Sequence, residues 1–293
     1  MARLSIIGAG RLGRTLGRLA HDAGYSVVDV LCREAGHAAE TLAFIGGGRA
    51  VTALAQLAPA ELYLLAVPDA AIAATAQSLA DAGVVPPGAL VFHASGAGEA
   101  SLLAPLMKQG VRIGSLHPAF SFAEPARAVA SFGGTLCALE GDEGICEELE
   151  SLAEAIGGRP FRLAPGGKAA YHAALSMASN YLVTLNALAL QVAAGAGIEP
   201  VVASQLVGGL MRQTLDNVLT LGPAAALTGP IVRGDAGTVA RHLEVIDDAL
   251  CADAYRAMGK ATLRLAGERL DEAAQQALTG LLAPRPEADR RSR

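Results

Sequence analysis

The chain has 293 residues, 52% of them hydrophobic and 17% charged, with a net charge of −5 at pH 7. This length allows two domains with buried cores, and the negative charge gives no electrostatic basis for binding nucleic acid. The four cysteines are widely scattered and form no C-x-x-C pair, so they indicate neither a metal site nor a disulfide framework. Because the N-terminus enters a predicted strand at once, we expect no signal peptide and a cytoplasmic protein.

A strand–turn–helix unit begins the chain. A β-branched run at residues 3–7 predicts a buried parallel strand, and Gly8-Ala9-Gly10-Arg11-Leu12-Gly13 follows it before a helix and a second strand. Gly8 allows a tight turn, Gly10 lets the backbone approach a pyrophosphate, and Gly13 lets the helix pack closely on the strand. The N–H groups that begin the helix suit the phosphates. The unit predicts a dinucleotide site; the alternative is a glycine-rich turn of another α/β protein.

The residues after the second strand select the cofactor. An NAD site usually has an acidic residue there, whereas an NADP site has a small residue and an arginine. Here Cys32 and Arg33 stand in this place, and the Arg33 guanidinium suits a 2′-phosphate. The sequence therefore predicts NADP (NADPH), unless Arg33 is only a solvated surface residue. Val67 and Pro68, at the end of a later strand, are expected to contact the same cofactor.

Strands alternate with helices through the first half of the chain. This pattern predicts an α/β Rossmann domain over residues 1–164, with a doubly wound, mostly parallel sheet. Long helices replace the strands afterwards and predict an all-α domain over residues 165–283, followed by a disordered tail at 284–293. One helix is expected to run from Lys168 to Ala194. Asp69 and Asp235 are each expected to cap a helix.

The most apolar long segment, residues 169–197, is interrupted by polar side chains. We expect a buried helix there rather than a membrane span. The segment from Lys168 to Leu221 is more apolar than one small helical domain can bury. A homodimer through the C-terminal helices is therefore expected, because such an interface would cover the excess.

Polar residues follow two predicted strands at the edge of the sheet where ligands bind. Ser95 and Gly96 come after one strand, and His117 comes at the end of another. The Ser95 hydroxyl is a candidate to bind a substrate carboxylate or the nicotinamide amide. His117 is a candidate to bind an acid or transfer a proton, and the alternative is a loop histidine with structural partners only.

A polar face on the helix after the domain boundary forms the other candidate wall of the substrate site. At about 100° per residue, Lys168 and His172 share this face, with Ser176 and Asn180 on its flank. If they are buried, these groups need partners, which a substrate, the first domain or a second subunit can supply. His172 is the first candidate acid/base because an unperturbed histidine titrates near pH 6.5. Lys168 is the alternative proton donor.

Six motifs in a fixed order carry a family resemblance. They are Gly8–Gly13, Ala66-Val67-Pro68-Asp69, His93-Ala94-Ser95-Gly96, Leu116-His117-Pro118, the helix with Lys168, Tyr171-His172 and Asn180, and the stretch Leu227–Asp235. Together they resemble the uncharacterised oxidoreductases that join a Rossmann-like NADP-binding domain to a C-terminal helical domain of unknown function. The resemblance runs to about Leu282 and extends to the 6-phosphogluconate dehydrogenase-like superfamily. It implies a dimerising helical domain, a substrate cleft between domains and catalytic roles for Lys168 and Asn180.

We therefore expect an NADP-dependent oxidoreductase. Its substrate is expected to be a small carbonyl, imine or hydroxy acid. A hydride is expected to be transferred between this substrate and the nicotinamide. The alternative is a dinucleotide-binding or sensing protein without turnover.

Overall fold

The computed structural model describes residues 2–32 and 35–284 and divides the chain into two compact units. The first unit ends at Ala178 and the second begins at Ser179. Among the described residues, eight strands form one sheet in the first unit: β1 (Arg3–Ile7), β2 (Ser26–Leu31), β3 (Arg49–Val51), β4 (Leu62–Leu65), β5 (Leu90–His93), β6 (Arg112–Pro118), β7 (Leu136–Glu140) and β8 (Arg159–Arg162).

The strand order is β3-β2-β1-β4-β5-β6-β7-β8. All pairs are parallel except β6 and β7, which pair antiparallel. This confirms the predicted mostly parallel Rossmann sheet. Because β1, β4, β5 and β6 run in one direction, their carboxyl ends meet at one edge, where ligands bind in such sheets.

Helices cover both faces of this sheet. The helices of the first unit are α1 (Arg11–Asp22), α2 (Ala35–Ile45), α3 (Asp69–Ala82), α4 (Pro125–Ser131), α5 (Glu143–Ala155) and α6 (Lys168–Ala178), with 3₁₀ helices at Leu54–Gln56 and Ala100–Gln109. Pro105 lies inside the second 3₁₀ helix, where the missing N–H and the ring disfavour a regular α-helix. The sequence pattern did not predict α4, which begins with Pro125 after the Glu124 carboxylate cap.

Two clusters of buried apolar side chains lie on opposite faces of the sheet. Strand β4 shows the alternation, since Leu64 joins one cluster while Tyr63 and Leu65 join the other. Burial on both faces explains why these strands are continuous apolar runs in the sequence. The two layers of helices thus fix the sheet edge on which the polar residues stand.

The second unit is helical in its described residues. It contains α7 (Asn180–Gly195), α8 (Pro200–Leu221), α9 (Pro223–Ala226), α10 (Ala236–Val245), α11 (Ala249–Ala266) and α12 (Glu272–Leu281). Val239, Leu243, Leu278 and Leu282 belong to its core cluster. The predicted tail lies outside the described residues from Arg285 onward.

The two predicted helix caps have different outcomes. Asp235 caps α10 as expected, since its carboxylate accepts a hydrogen bond from the Thr238 backbone N at 2.9 Å. The expected cap by Asp69 is wrong: Pro68 occupies the N-cap position and Asp69 is the first residue of α3. The Asp69 carboxylate instead accepts a hydrogen bond from the Ser95 hydroxyl.

The predicted helix from Lys168 to Ala194 is present with one interruption at Ser179, which divides it into α6 and α7. Ser179 lies in the right-handed helical region, but its φ of −111° departs from the ideal α-helical φ of about −63°, and it stands between α6 and α7. Strands end at Arg162, near the predicted domain boundary after residue 164, but the compact unit extends through α6 to Ala178. The helix that carries His172 thus belongs to the sheet unit.

The expected burial of the apolar segment is also wrong for the single chain. No residue of α7 is buried, and Val183 is 70% exposed. Residues Lys168–Gly195 are long and apolar enough to cross a membrane by length and composition alone, which is weak evidence for a span. Lys168, by contrast, is only 2% exposed and is packed within the sheet unit.

The turn after β1 depends on close backbone contacts. Gly8 has a φ of +112°, in the range that favours glycine. A Cβ at Gly13 would lie 2.2 Å from the Gly8 carbonyl oxygen and 3.0 Å from the Ala66 Cβ. A Cβ at Gly10 would meet no atom within 4 Å. Gly13 is therefore required for packing, whereas Gly10 faces open space.

We expect Gly13→Ala to lower the free energy of unfolding by about 1–3 kcal/mol, because the helix must move away from the Gly8 carbonyl. Gly10→Ala is the matched control in the same turn and should change stability by less than about 0.5 kcal/mol. Urea unfolding of both variants measures the difference. Equal stability of the two variants would contradict the packing account.

Candidate functional site

The glycine turn lies at the carboxyl edge of the sheet and leads directly into α1. The first backbone bond of the helix joins Arg14 N to the Gly10 carbonyl oxygen at 2.9 Å. The N–H groups of Arg11, Leu12 and Gly13 precede that ladder, as at any helix N-terminus. With Gly10 open to approach, this end of α1 has the backbone geometry that holds a phosphate group.

The other predicted cofactor residues lie around this turn in different environments. Ala9 and Leu12 pack against one core cluster and Val67 packs against the other. Cys32 is buried after β2, and its backbone N donates to the Val51 carbonyl oxygen. Pro68 is exposed at the start of α3. Arg33, which carries the NADP prediction, lies outside the described residues.

The turn after β5 is held by hydrogen bonds to Ser95. The Ser95 hydroxyl donates to the Asp69 carboxylate at 2.7 Å and accepts from the Gly98 backbone N at 2.8 Å. The Ser95 backbone N donates to His93 Nδ1 at 3.2 Å, and His93 Nε2 lies 3.0 Å from the Glu99 carbonyl oxygen. Since its hydroxyl has three partners, including the Ala97 backbone N at 3.3 Å, Ser95 shapes this turn, and its contact with a substrate remains a prediction.

Lys168 fastens α6 to the same turn. Its Nζ donates to the Ser95 carbonyl oxygen at 2.7 Å and lies 3.8 Å from a Glu140 carboxylate oxygen. That Glu140 oxygen also accepts a hydrogen bond from the Ala100 backbone N. Burial lowers the pKa of Lys168 to about 8, although the Glu140 carboxylate opposes the shift. The amine is enclosed and bonded, which favours a positioning role over the predicted proton transfer.

Three aromatic side chains meet beside Gly96. His117 Nδ1 lies 2.8 Å from the Tyr171 hydroxyl oxygen, and the His117 ring centroid is 6.2 Å from that of His172. A Cβ at Gly96 would lie 2.5 Å from His172 Cδ2 and 2.9 Å from His117 Nε2. Glycine at position 96 therefore lets both imidazoles approach the backbone.

Burial controls the protonation of this cluster. It lowers the pKa of His117 to about 4, and the Lys168 ammonium and His172 act in the same direction. His93 also has its pKa lowered to about 4, chiefly by burial. Burial raises the pKa of Tyr171 to about 12. At neutral pH, His117 is therefore a neutral imidazole hydrogen-bonded to a protonated phenol.

The structure brings most of the predicted site residues together within the sheet unit. Ser95, Gly96, His117, Lys168 and His172 form one neighbourhood. Ser176 lies one turn beyond His172 and is partly exposed, and Asn180 lies beyond the helix break and is exposed.

Sequence reasoning assigned no part in this neighbourhood to three of its groups. They are the Tyr171 hydroxyl, the Asp69 carboxylate and the Glu140 carboxylate. The one sequence signal that could have identified Tyr171 was its position next to His172. The long-range partners of Asp69 and Glu140 have no signature in the sequence.

Acidification should destabilise the folded chain through His93 and His117. A histidine titrates near pH 6.5 in the unfolded chain, so between pH 6.5 and 4 the unfolded state binds more protons. Stability from these groups is present above pH 6.5 and lost as the pH falls towards 4, by ~1–3 kcal/mol for each. Urea unfolding of wild type and His117→Gln from pH 7.5 to 4.5 tests this. The variant should lose less stability, and parallel curves would refute the assignment.

Comparisons with family models match two segments of the chain. Residues 1–118 match the model of a Rossmann-like domain. Residues 135–262 match the model of DUF2520, a domain of unknown function. A search of curated proteins finds no match.

Solved structures with the same fold cover nearly the whole chain. Protein TM1727 from Thermotoga maritima has 27% sequence identity and a TM-score of 0.69, over 90% of this chain and 98% of that one. A Bacteroides fragilis protein described as a "putative NADP oxidoreductase" has 21% identity and a TM-score of 0.75, over 90% and 98%. An imine reductase from Myxococcus stipitatus in complex with NADP⁺ has 18% identity and a TM-score of 0.64, over 96% and 100%. Residues 1–118 of this chain are therefore similar to a Rossmann-like domain, and residues 135–262 are similar to a DUF2520 domain of unknown function.

Proposed function

We propose that this protein is an NADP(H)-dependent oxidoreductase acting on a small carbonyl, imine or hydroxy acid. The observation that carries the proposal is one sheet edge with two features. The open Gly10 and the N-terminus of α1 stand at the end of β1, and the cluster of His117, Tyr171 and His172 stands at the ends of β5 and β6. Neighbours with this fold include one structure described as a "putative NADP oxidoreductase" and an imine reductase in complex with NADP⁺, which supports the same class.

The chain's own groups supply the dinucleotide site of this proposal. Backbone N–H groups of residues 11–13 would bind the pyrophosphate, and Arg33 would bind the 2′-phosphate. The bound nicotinamide would supply hydride transfer. The protein must then orient the carbonyl or imine and move one proton to or from its oxygen or nitrogen.

His172 is our first candidate for that proton. His117 is neutral at pH 7 and shares its Nδ1 with the Tyr171 hydroxyl, so it orients Tyr171 rather than supplying a proton. Lys168 is enclosed by its bonds to the turn. In the reduction, the His172 imidazolium would release its proton to the substrate oxygen or nitrogen as the carbon gains the hydride, and solvent would reprotonate the ring. Asn180 is kept as a candidate from the resemblance alone.

A homodimer through the C-terminal helices is the proposed assembly. Val183 on α7 and Leu206 and Leu219 on α8 are 70%, 56% and 76% exposed. Exposed apolar surface on this scale is typical of an interface, and a second copy of the chain would cover it.

Cofactor preference is tested by two substitutions at the dinucleotide site. Arg33→Ala should weaken NADPH binding at least tenfold more than NADH binding, because only NADPH carries the 2′-phosphate. Gly10→Ala should weaken both cofactors alike, because both share the pyrophosphate that approaches this position. Titration of each variant by nicotinamide fluorescence measures the four affinities. Equal losses for both cofactors in Arg33→Ala would contradict the NADP assignment.

Turnover is tested by NADPH oxidation with a panel of cyclic imines, ketones and 2-oxo acids. With an active substrate, His172→Ala should lower kcat by ~10²–10⁴ and leave NADPH affinity nearly unchanged. Tyr171→Phe, which keeps the ring and removes the hydroxyl, is the matched variant with which the kcat of His172→Ala is compared. Full activity of His172→Ala would transfer the proton role to Tyr171. Cofactor binding without turnover on any panel member would favour the sensing alternative.

A further inference from the structure

The helical unit contains a cavity that the proposed hydride chemistry does not use. Its volume is about 570 Å³, within the ~300–1,000 Å³ of pockets for small organic ligands. Ile231, Ile246 and Cys251 are buried in its walls, whereas Val245 and Met258 are exposed at its rim. We call this space the helical-unit cavity; residues of α7, α10, α11 and the Leu227–Asp235 stretch line it.

The lining of the helical-unit cavity excludes a charged ligand. Among the described residues, no Asp, Glu, Lys or Arg contributes to it, and most of the lining is aliphatic. A carboxylate, phosphate or ammonium group placed there would lose its hydration without gaining a counter-charge. An apolar group loses no comparable hydration energy there, and the burial of its surface is favourable. The wall chemistry therefore selects uncharged molecules.

Polar groups interrupt the apolar lining at the two threonines, Thr228 and Thr262, and at one hydrogen-bonded pair of rings. His242 Nδ1 lies 2.8 Å from the Tyr255 hydroxyl oxygen, and their rings are perpendicular with centroids 5.9 Å apart. If the phenol donates to Nδ1, the ring keeps an Nε2–H donor and the phenol oxygen remains an acceptor. If Nδ1–H donates instead, the phenol keeps its O–H donor and Nε2 remains an acceptor. In either tautomer the pair has one donor and one acceptor left for a ligand.

We propose that the helical-unit cavity binds an uncharged, largely apolar organic molecule that carries one hydrogen-bonding group. The aliphatic walls hold the apolar body and the pair of His242 and Tyr255 holds the polar group. This inference does not rest on the proposed oxidoreductase activity, because the cavity lies wholly within the second unit. Its failure and the failure of the proposed function are therefore separate results.

The probe for the experiment is 1-aminoanthracene, which is apolar, uncharged at pH 7.5 and fluorescent in apolar sites. We expect the full chain to bind it with a Kd on the order of 10 μM, a moderate affinity for a ligand of this size. Anthracene-1-carboxylate has the same rings with a charge and should bind at least tenfold more weakly. Equal binding of the two probes would overturn the uncharged class.

Substitutions on α11 locate the site. Ala254 lines the cavity, whereas Ala257 is exposed on the same helix outside the lining. Ala254→Phe should weaken 1-aminoanthracene binding at least tenfold, and Ala257→Phe should leave it unchanged. Tyr255→Phe should weaken it about three- to tenfold through the loss of one hydrogen-bonding hydroxyl. Identical binding by the Ala254→Phe and Ala257→Phe variants would refute the site.

If circular dichroism shows that Ala254→Phe does not fold, a second variant provides the test. The chain contains no tryptophan, so Met258→Trp at the rim gives one emitting residue beside the cavity. Its emission should be quenched as 1-aminoanthracene binds, and unchanged emission at saturating probe would overturn the proposal. Light scattering on the same samples tests whether a second copy of the chain occupies the cavity. If wild type binds no probe and Ala254→Phe alone converts a dimer to a monomer, a second copy of the chain fills the cavity instead.

Discussion

The hydrogen bond from the buried Lys168 amine to the Ser95 carbonyl oxygen holds the candidate site together. It joins the first turn of α6 to the turn after β5, two segments that lie more than seventy residues apart in the chain. Tyr171 and His172 follow one turn later on the same helix, so the bond brings them beside His117 and Gly96. A buried ammonium requires such partners, because loss of hydration without them is costly. Glu140 completes the arrangement at 3.8 Å.

The sheet edge imposes the second constraint. Parallel strands place the turn after β1 and the ends of β5 and β6 on the same side of the sheet. Backbone packing at Gly8 and Gly13 then brings α1 close to the strand, and the space beside Gly10, at the N-terminus of this helix, is open. The anion-binding geometry and the histidine cluster thus arise from one architectural feature, although they come from distant parts of the sequence.

The helical unit differs from the sheet unit in how its apolar surface is used. In the sheet unit, apolar side chains fill two cores on either side of the strands. In the helical unit, α7 has no buried residue, and large apolar side chains on α7 and α8 face solvent in the single chain. A helix with apolar residues around most of its circumference needs neighbours on several sides. The cavity between α10, α11 and α7 shares the exposed Leu185 and Val192 with this apolar surface, and it also contains the hydrogen-bonded pair of His242 and Tyr255.

The sequence alone determined the features that rest on local pattern. Apolar runs between turn residues located the strands, and the spacing of Gly8, Gly10 and Gly13 predicted the turn between β1 and α1, because both depend on residues close in the chain. His117, Ser95 and His172 could be chosen as candidates because polar residues stood at strand ends or on one helix face.

Only the tertiary structure decided how these residues are used. Asp69 binds Ser95 instead of capping α3, Lys168 is turned inward to Ser95 and Glu140, and His117 pairs with Tyr171. Each of these contacts joins segments far apart in the chain, and no local periodicity encodes such a partner. Ser179 likewise has ordinary helical neighbours in sequence, yet the helix is interrupted there and the φ of Ser179 departs from the ideal helical value. Burial then decided protonation, since the low pKa of His117 follows from the walls around it and from Lys168 rather than from its own residue type.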